Sequence, residues 1–338
     1  MSTGHPLVTI VITTYNRSAL LGRAIRSALG QTLREIAIVV VDDGSTDDTA
    51  ATLEAFTDER IRAIRFPTNR GASAACNAGI EAARSEVVLF LDSDDALRPR
   101  AAELLHGVLS GDRGIGMAWG RKGIWDQKTD ALKSVAFVNP FRRARTGRLL
   151  PTMLTWTPGL GGLAIRREVF DAIGRLDTEQ NIGDLDWTIR FAVRGSWTVR
   201  VLDEVTYDVY EDGPSLSSRI DPAYLRGIER ILALHGEVLR AYPEAHAAYL
   251  YRAAHASFSL SDARTGHRYL NRAIRCAPFR PRYWGFKLAK LTGLTRAWRM
   301  LSAARGRRDA RLRKSRHERE AGADRVGRIP MSPAVSTP

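Results

Sequence analysis

Short apolar runs alternate with stretches of helical spacing over the first 120 residues. Val8–Thr13, Ile36–Val41, Ile61–Phe66, Val87–Leu91 and Gly116–Gly120 are runs of four to six residues, too short for helices and rich in β-branched side chains, and so predict strands. The intervening segments place apolar residues at i, i+3 and i+4. They predict helices over Ala19–Leu29 with Ser18 as N-cap, from Ser45 or Thr46 to about Phe56, over Ala72–Ala83, and near Arg100–Leu109. The third of these, A-S-A-A-C-N-A-G-I-E-A-A, is built from small residues and suits close packing on a sheet. Ile36–Val41 and Val87–Leu91 are continuously apolar rather than alternating, the pattern of strands covered on both faces. Strand–helix alternation of this kind predicts a mostly parallel α/β sheet with right-handed crossovers.

After Gly120 the pattern loosens. Trp125–Asn139 reads as a hairpin, Leu160–Arg166 as a strand, Glu168–Ile173 as a short helix and Asp184–Val193 as an amphipathic helix. Val199–Leu202 and Val205–Tyr210 read as two edge strands. From Pro222 the composition shifts to Ala, Arg, Tyr and Leu at helical spacing, with helices over Leu225–Ala241, Ala245–Ser261 and Arg264–Cys276. Beyond Ala303 the chain is charged and poor in aromatics, which predicts disorder. Three parts follow: a catalytic-sized α/β domain over 1–220, a helical appendage over 221–302, and a basic tail over 303–338.

Polar groups gather where the predicted strands end. Thr13-Thr14-Tyr15-Asn16, Asp42-Asp43-Gly44-Ser45 and Asp92-Ser93-Asp94-Asp95 each follow an apolar run directly. In a parallel sheet these ends share one edge, where open α/β sheets bind ligands. Three acids in four residues repel one another, so Asp92, Asp94 and Asp95 predict a cation, and a divalent metal holding a phosphorylated ligand fits best. A phenol at Tyr15 beside the Asp43 carboxylate suits a nucleoside, with the ring stacking the base and the acid accepting its N–H. The chain has neither G-x-x-x-x-G-K-[ST] nor G-x-G-x-x-G, so phosphates must be held by metal and side chains. Asp42 and Asp47 read as turn and cap residues, and Trp187 and Trp197 as core. Trp156, in the glycine-rich T-W-T-P-G-L-G-G with Gly161 and Gly162, is the acceptor-contact candidate.

Composition adds a lopsided charge. The net charge is +14, yet residues from Arg264 onward hold 20 Lys/Arg against four acids, leaving residues 1–263 slightly acidic. The basic region therefore concerns the appendage and not the acidic cleft. It suits peripheral contact with an anionic membrane face and contains no recognisable nucleic-acid module. No run approaches 18 apolar residues, and Cys76 and Cys276 are far apart without metal-ligand spacing. A cytoplasmic protein with free thiols is expected.

Five segments, in order, are similar to the inverting family 2 glycosyltransferases. They are V-T-I-V-I-T-T-Y-N-R (8–17), I-V-V-V-D-D-G-S-T-D-D-T (38–49), N-R-G-A-S-A-A-C-N-A-G-I (69–80), L-F-L-D-S-D-D (89–95) and R-L-D-T-E-Q-N-I-G-D-L-D-W-T-I-R (175–190). The resemblance covers about residues 6–217. It implies a GT-A fold, Rossmann-like with a mostly parallel sheet, and transfer of one sugar from a nucleotide-diphospho-sugar, UDP-linked, to an acceptor hydroxyl of a glycan or lipid-linked acceptor. It also implies roles: Thr13, Tyr15, Asn16, Asp43, Asn77, Asp92 and Asp94 on the nucleotide-sugar, Asp94 and Asp95 on Mn2+ or Mg2+, and Asp184 as general base.

Departures from the family pattern are visible too. Gly183 stands where an acid often precedes the base, Cys76 replaces an arginine before Asn77, and Y-E-D-G-P-S-L-S (210–217) lacks the usual Arg/His ligand. The Q-x-x-R-W pattern of processive synthases is absent, which favours single-sugar transfer in cell-envelope glycan synthesis. The alternative reading is a non-catalytic binder of the same fold acting through its basic appendage on membrane or nucleic acid.

Overall fold

The computed structural model describes residues 5–136, 149–179, 182–194, 196–211 and 220–294. Its centre is one nine-stranded sheet in the order β3-β2-β1-β4-β8-β6-β9-β5, with β7 paired to β6. Strands β1 (Val8–Thr14), β2 (Ile36–Asp42), β3 (Ile61–Arg65) and β4 (Val87–Asp92) are mutually parallel and form the nucleotide-binding-like half. The other half mixes directions. Strand β8 (Ala164–Arg166) runs antiparallel to β4 and β6 (Ile115–Asp126), and β9 (Thr198–Glu211) runs parallel to β6. The two-residue β5 (Ala96–Leu97) closes that edge on β9.

The continuous apolar runs are explained by cover on both faces. Val8, Ile10 and Ile12 of β1 pack with α1 (Ser18–Leu29) and α4 (Ala101–Gly111), while Val11 points the other way with Val88 and Phe90. That second face is covered by α3 (Ala72–Ala82), α6 (Arg167–Ile173) and α7 (Gly183–Arg194), with Trp187 and Phe191 fully buried. Side chains alternate in strands, so the two cores use alternate residues of the same run. The small-residue helix α3 does press on the sheet: a Cβ on Gly79 would lie 2.3 Å from Val11 Cγ1. Gly79→Ala should overpack this contact and cost about 1–3 kcal/mol, readable as a lower midpoint in urea unfolding.

The helical region shares a core with the α/β domain. Leu154 of α5 (Leu149–Thr155) and Leu185 and Ile189 of α7 lie in one cluster with residues of α8 (Pro222–Leu234), α9 (Gly236–Ala241), α10 (Pro243–Ser259), α11 (Ala263–Cys276) and α12 (Pro281–Leu291). Among the described residues no helix is long and apolar enough to cross a membrane. Both cysteines are free thiols.

Several expectations are corrected. Ser18 is the first residue of α1 and not its cap; its N–H donates to Asp47 Oδ2 at 3.2 Å, and the Arg17 N–H donates to Thr49 Oγ1 at 3.1 Å. The neighbouring loop thus caps this helix. Helix α2 is confined to Thr49–Glu54 because Asp47 and Asp42 hold the preceding turn. The two expected edge strands are one strand, β9, lying between β6 and β5. Its Asp203-Glu204 break is a bulge: β9 advances from Val201 to Val205 while β6 advances from Trp119 to Arg121. The helix expected over Leu225–Ala241 divides at His235, which turns to Asp186. The hairpin is β6 with β7 (Ala131–Ala136), and residues 137–139 of the expected range lie outside the described residues. Residues beyond 294, including the whole tail, lie outside them as well.

Candidate active site

Register brings the strand-end groups together. Thr13 pairs in register with Val41 on one side and Asp92 on the other, so the ends of β1, β2 and β4 share one level of the sheet edge. Beyond β1, Tyr15 is 44% exposed, a ring free on one face to stack a planar base. Asn16 follows with φ 50° and ties two loops: its N–H donates to Ser45 Oγ at 2.9 Å and its Oδ1 accepts from Thr46 N at 2.8 Å. Asp43 is buried, and its two oxygens accept the N–H groups of Arg70 (2.7 Å) and Gly71 (2.9 Å). Those bonds fix the loop entering α3. The remaining lone pairs of a doubly bonded carboxylate are still available to a ligand N–H.

The three acids after β4 divide their work. Asp92 is exposed at the end of β4, with Tyr207 Oη donating to its Oδ2 at 3.2 Å and accepting from its N–H at 3.2 Å. Surrounding protein and the Asp94 carboxylate both push Asp92 above the usual range. Asp94 is half-exposed, with Arg17 Nε 3.9 Å from it, and its carbonyl accepts from Arg23. Asp95 is turned away: it is 6% exposed, and its Oδ1 accepts from Tyr210 N at 3.0 Å. Burial and Asp92 raise Asp95 to about 7. Of the two acids assigned to a metal by resemblance, Asp94 therefore opens to solvent and Asp95 anchors the turn to β9, while Asp92 is the second acid at the opening.

Lys122 completes this cluster. It lies on β6 opposite Tyr207, its Nζ 5.1 Å from that ring, and burial lowers its pKa while Asp92 and Asp95 act to raise it. Nothing in the sequence pattern singles it out; only the β6–β9 register brings it to the acids. The same is true of Tyr207, whose hydroxyl both donates and accepts at Asp92.

The glycines of the T-W-T-P-G-L-G-G segment are explained by the same pair. A Cβ on Gly161 would lie 2.3 Å from Asp92 Oδ2 and 2.6 Å from Tyr207 Oη, and Gly162 has φ +85° with the Tyr207 ring 3.0 Å away. Gly161→Ala should displace Asp92, and an ångström-scale shift there is expected to cut turnover by about 100-fold without unfolding the chain. Steady-state rates alongside a thermal melt would check this. Trp156 is half-buried, its ring centroid 6.0 Å from that of Trp119.

Asp184 stands in the first turn of α7. Burial raises its carboxyl, offset by the Leu185 N–H at 2.8 Å and by Arg252 of α10. Gly183 is required in place of an acid, since a Cβ there would meet Ser73 Oγ at 2.3 Å. Asn77 holds the approach to α7: its Nδ2 donates to Leu176 O at 2.9 Å and its Oδ1 accepts from Leu176 N at 3.0 Å, so both ends of the amide are engaged by backbone. Further on, Asp186 is bound by Arg190 Nε and His235 Nε2, each at 2.8 Å, and Arg230 of α8 pairs with Asp177 at 2.6 Å. The helical region thus steadies the segment carrying Asp184. It also lends the site Arg252 and the buried Tyr249, which no reading of separate domains reveals.

Cys76 is buried on α3, and its thiol is pushed up to about 12 by burial and by the negative charges of Asp92, Asp184 and Asp43, with the Thr13 hydroxyl bonding to it. Among the described residues no group of three His, Cys, Asp or Glu side chains is set to hold a metal alone. Asp92 and Asp94 are nevertheless hard oxygen donors crowded enough to repel, a donor set suited to a divalent cation whose other ligands are phosphate oxygens.

Comparison with known proteins agrees with this architecture. An uncharacterized glycosyltransferase of Nostoc sp. is 34% identical over 175 residues, covering 50% of this chain and 54% of that protein. The Escherichia coli protein WfaP, a UDP-Glc:alpha-D-GlcNAc-diphosphoundecaprenol beta-1,3-glucosyltransferase, is 39% identical over 89 residues, 26% of this chain and 36% of WfaP. The chain thus spans about half or less of the relatives it matches. Among solved structures, Staphylococcus aureus TarS residues 1–349 in complex with UDP-GlcNAc superposes with a TM-score of 0.61 at 18% identity, over 80% of this chain and 81% of that one. Such a likeness shows the fold, a GT-A-like mixed α/β sheet followed by helices. Residues 9–174 match the family described as Glycosyl transferase family 2, and the chain belongs to that family.

Proposed function

We propose that the protein transfers a single sugar, with inversion, from a UDP-linked donor to an acceptor hydroxyl. The observation that carries this reading is the register of β1 with β2 and β4, which pairs Thr14 with Asp42 and Thr13 with Asp92 and so brings Tyr15, Asp43, Asp92 and Asp94 to one sheet edge. Tyr15 stacks the base and Asp43 accepts its N–H. Asp92 and Asp94 hold Mn2+ or Mg2+, which when bound offsets negative charge on the departing diphosphate. Arg17 and Lys122 add fixed positive charge at the same place. Asp184 takes the proton of the acceptor hydroxyl as that oxygen attacks the anomeric carbon from the face opposite the leaving group. One displacement inverts the configuration.

The UDP assignment is supported by the UDP-GlcNAc bound to TarS and the UDP-Glc in the name of WfaP. The acceptor we assign is a lipid-linked glycan, a reading supported by the diphosphoundecaprenol acceptor in WfaP's name. The test is nucleotide release from UDP-GlcNAc, UDP-Glc and UDP-Gal with manganese, in the presence of lipid-diphosphate-linked sugar acceptors. Release stimulated by an acceptor supports transfer. A folded protein that binds UDP yet releases none from any of these pairs would reject UDP-sugar transfer to a lipid-linked acceptor.

A further inference from the structure

Helix α12 has two apolar faces and only one of them is buried. Tyr283, Phe286 and Ala289 pack into the helical core, with the Tyr251 and Phe286 rings 5.3 Å apart. On the opposite face Trp284, Leu288 and Leu291 recur at i, i+4 and i+7, and are 50%, 63% and 64% exposed. Leu294 just beyond the helix and Phe279 just before it are also exposed, at 63% and 95%. Five exposed large apolar side chains in sixteen residues are a local concentration, unlike the isolated exposed apolar residue found on most proteins.

The charge around the patch is one-sided. Between Arg264 and Leu294 the chain has eight Lys/Arg and no Asp or Glu. Lys287 lies 5.6 Å from the Trp284 ring, so a long basic side chain flanks the stripe. Arg280 is paired with Glu244, and the other cations give this surface its sign. A protein partner of matching shape would need an apolar groove ringed with acids. An anionic bilayer supplies both features at once: acyl chains for the leucines, an interfacial layer for tryptophan, and phosphate for the cations.

We propose that the α12 face is a membrane-docking surface for anionic phospholipid, lying flat with Trp284, Leu288 and Leu291 inserted. The inference goes beyond the transfer reaction and does not depend on which nucleotide the cleft takes.

Sedimentation of the full-length protein with vesicles tests it. Two compositions are compared, phosphatidylcholine alone and phosphatidylcholine with about one third phosphatidylglycerol, each at low salt and at roughly 1 M salt. The expected result is association with the anionic vesicles at least about tenfold stronger than with the neutral ones, reduced by salt. The triple variant Trp284→Ser/Leu288→Ser/Leu291→Ser and, separately, Lys287→Glu should each weaken it about tenfold or more. UDP binding and the thermal midpoint serve as folding checks, and because these side chains are surface groups both should hold. Absence of association by the wild-type protein overturns the proposal. So does undiminished association of the triple variant, which would assign docking to cations elsewhere, including residues beyond 294. A wild-type dimer that the triple variant dissolves, with no vesicle binding by either, would mean that the stripe pairs two copies of this chain instead.

Discussion

Asp184→Asn is expected to lower turnover by about 10²–10⁴-fold, the contribution typical of a positioned general base, while leaving nucleotide affinity within experimental error. The substitution is nearly isosteric, and the Asn side-chain oxygen can still accept from the Leu185 N–H that Asp184 Oδ1 now engages. Helix α7 keeps its anchors, since Asp186, Arg190, His235 and Trp187 are untouched. Loss of rate with retained binding would separate catalysis from a binding-only role for the cleft. The pH profile gives a second readout. Burial raises Asp184, so its base form is depleted as pH falls through a pKa above the ordinary carboxylate value of 3.8. The acid limb of kcat/KM should therefore lie at higher pH than for an exposed aspartate, and Asp184→Asn should flatten it.

Asp94→Asn should be comparably damaging for a different reason. Removing one of the two open carboxylates is expected to cost about 10³-fold in kcat/KM, several kcal/mol of charge stabilisation on the diphosphate, and to weaken metal-dependent nucleotide binding. Stability should move the other way or not at all. Asp94 acts on Asp92 as a like charge, and its ion pair with Arg17, at 3.9 Å on a partly exposed surface, is worth little to the fold. An unchanged or raised thermal midpoint beside lost activity would identify Asp94 as a residue kept for ligand at some cost to the apoprotein. A sharp drop in the midpoint would instead make it structural.

The half of the molecule built on local pattern was legible in the sequence. Runs such as Ile36–Val41 and Val87–Leu91 are apolar throughout because helices cover both faces, and their polar ends fall at one edge because the strands are parallel. What was not legible depends on long-range register. Lys122 and Tyr207 meet only because β6 and β9 pair after a bulge, and Tyr249 and Arg252 reach Asp184 only because α10 packs against α5 and α7. Asp95 illustrates the limit of motif reading: adjacent in sequence to the half-exposed Asp94, it is buried and accepts from the Tyr210 N–H. Ser18 is likewise the first helical residue and not the cap, and the N–H groups of Arg17 and Ser18 are taken by Thr49 and Asp47 from a distant part of the sequence. Helix α12 was missed because Gly285 and the opening prolines and arginines weaken its periodicity, and its second apolar face blurs the helical pattern further.

The central claim is that the cleft bounded by Tyr15, Asp43, Asp94 and Asp184 holds a nucleoside diphosphate through a divalent cation. Calorimetric titration of the full-length protein with UDP, GDP and dTDP, each with and without manganese, tests it most directly. The account predicts saturable, manganese-dependent binding of UDP in preference to the other two, lost in Asp94→Asn and retained in Asp184→Asn. A folded protein that binds none of the three, with or without the metal, would contradict it.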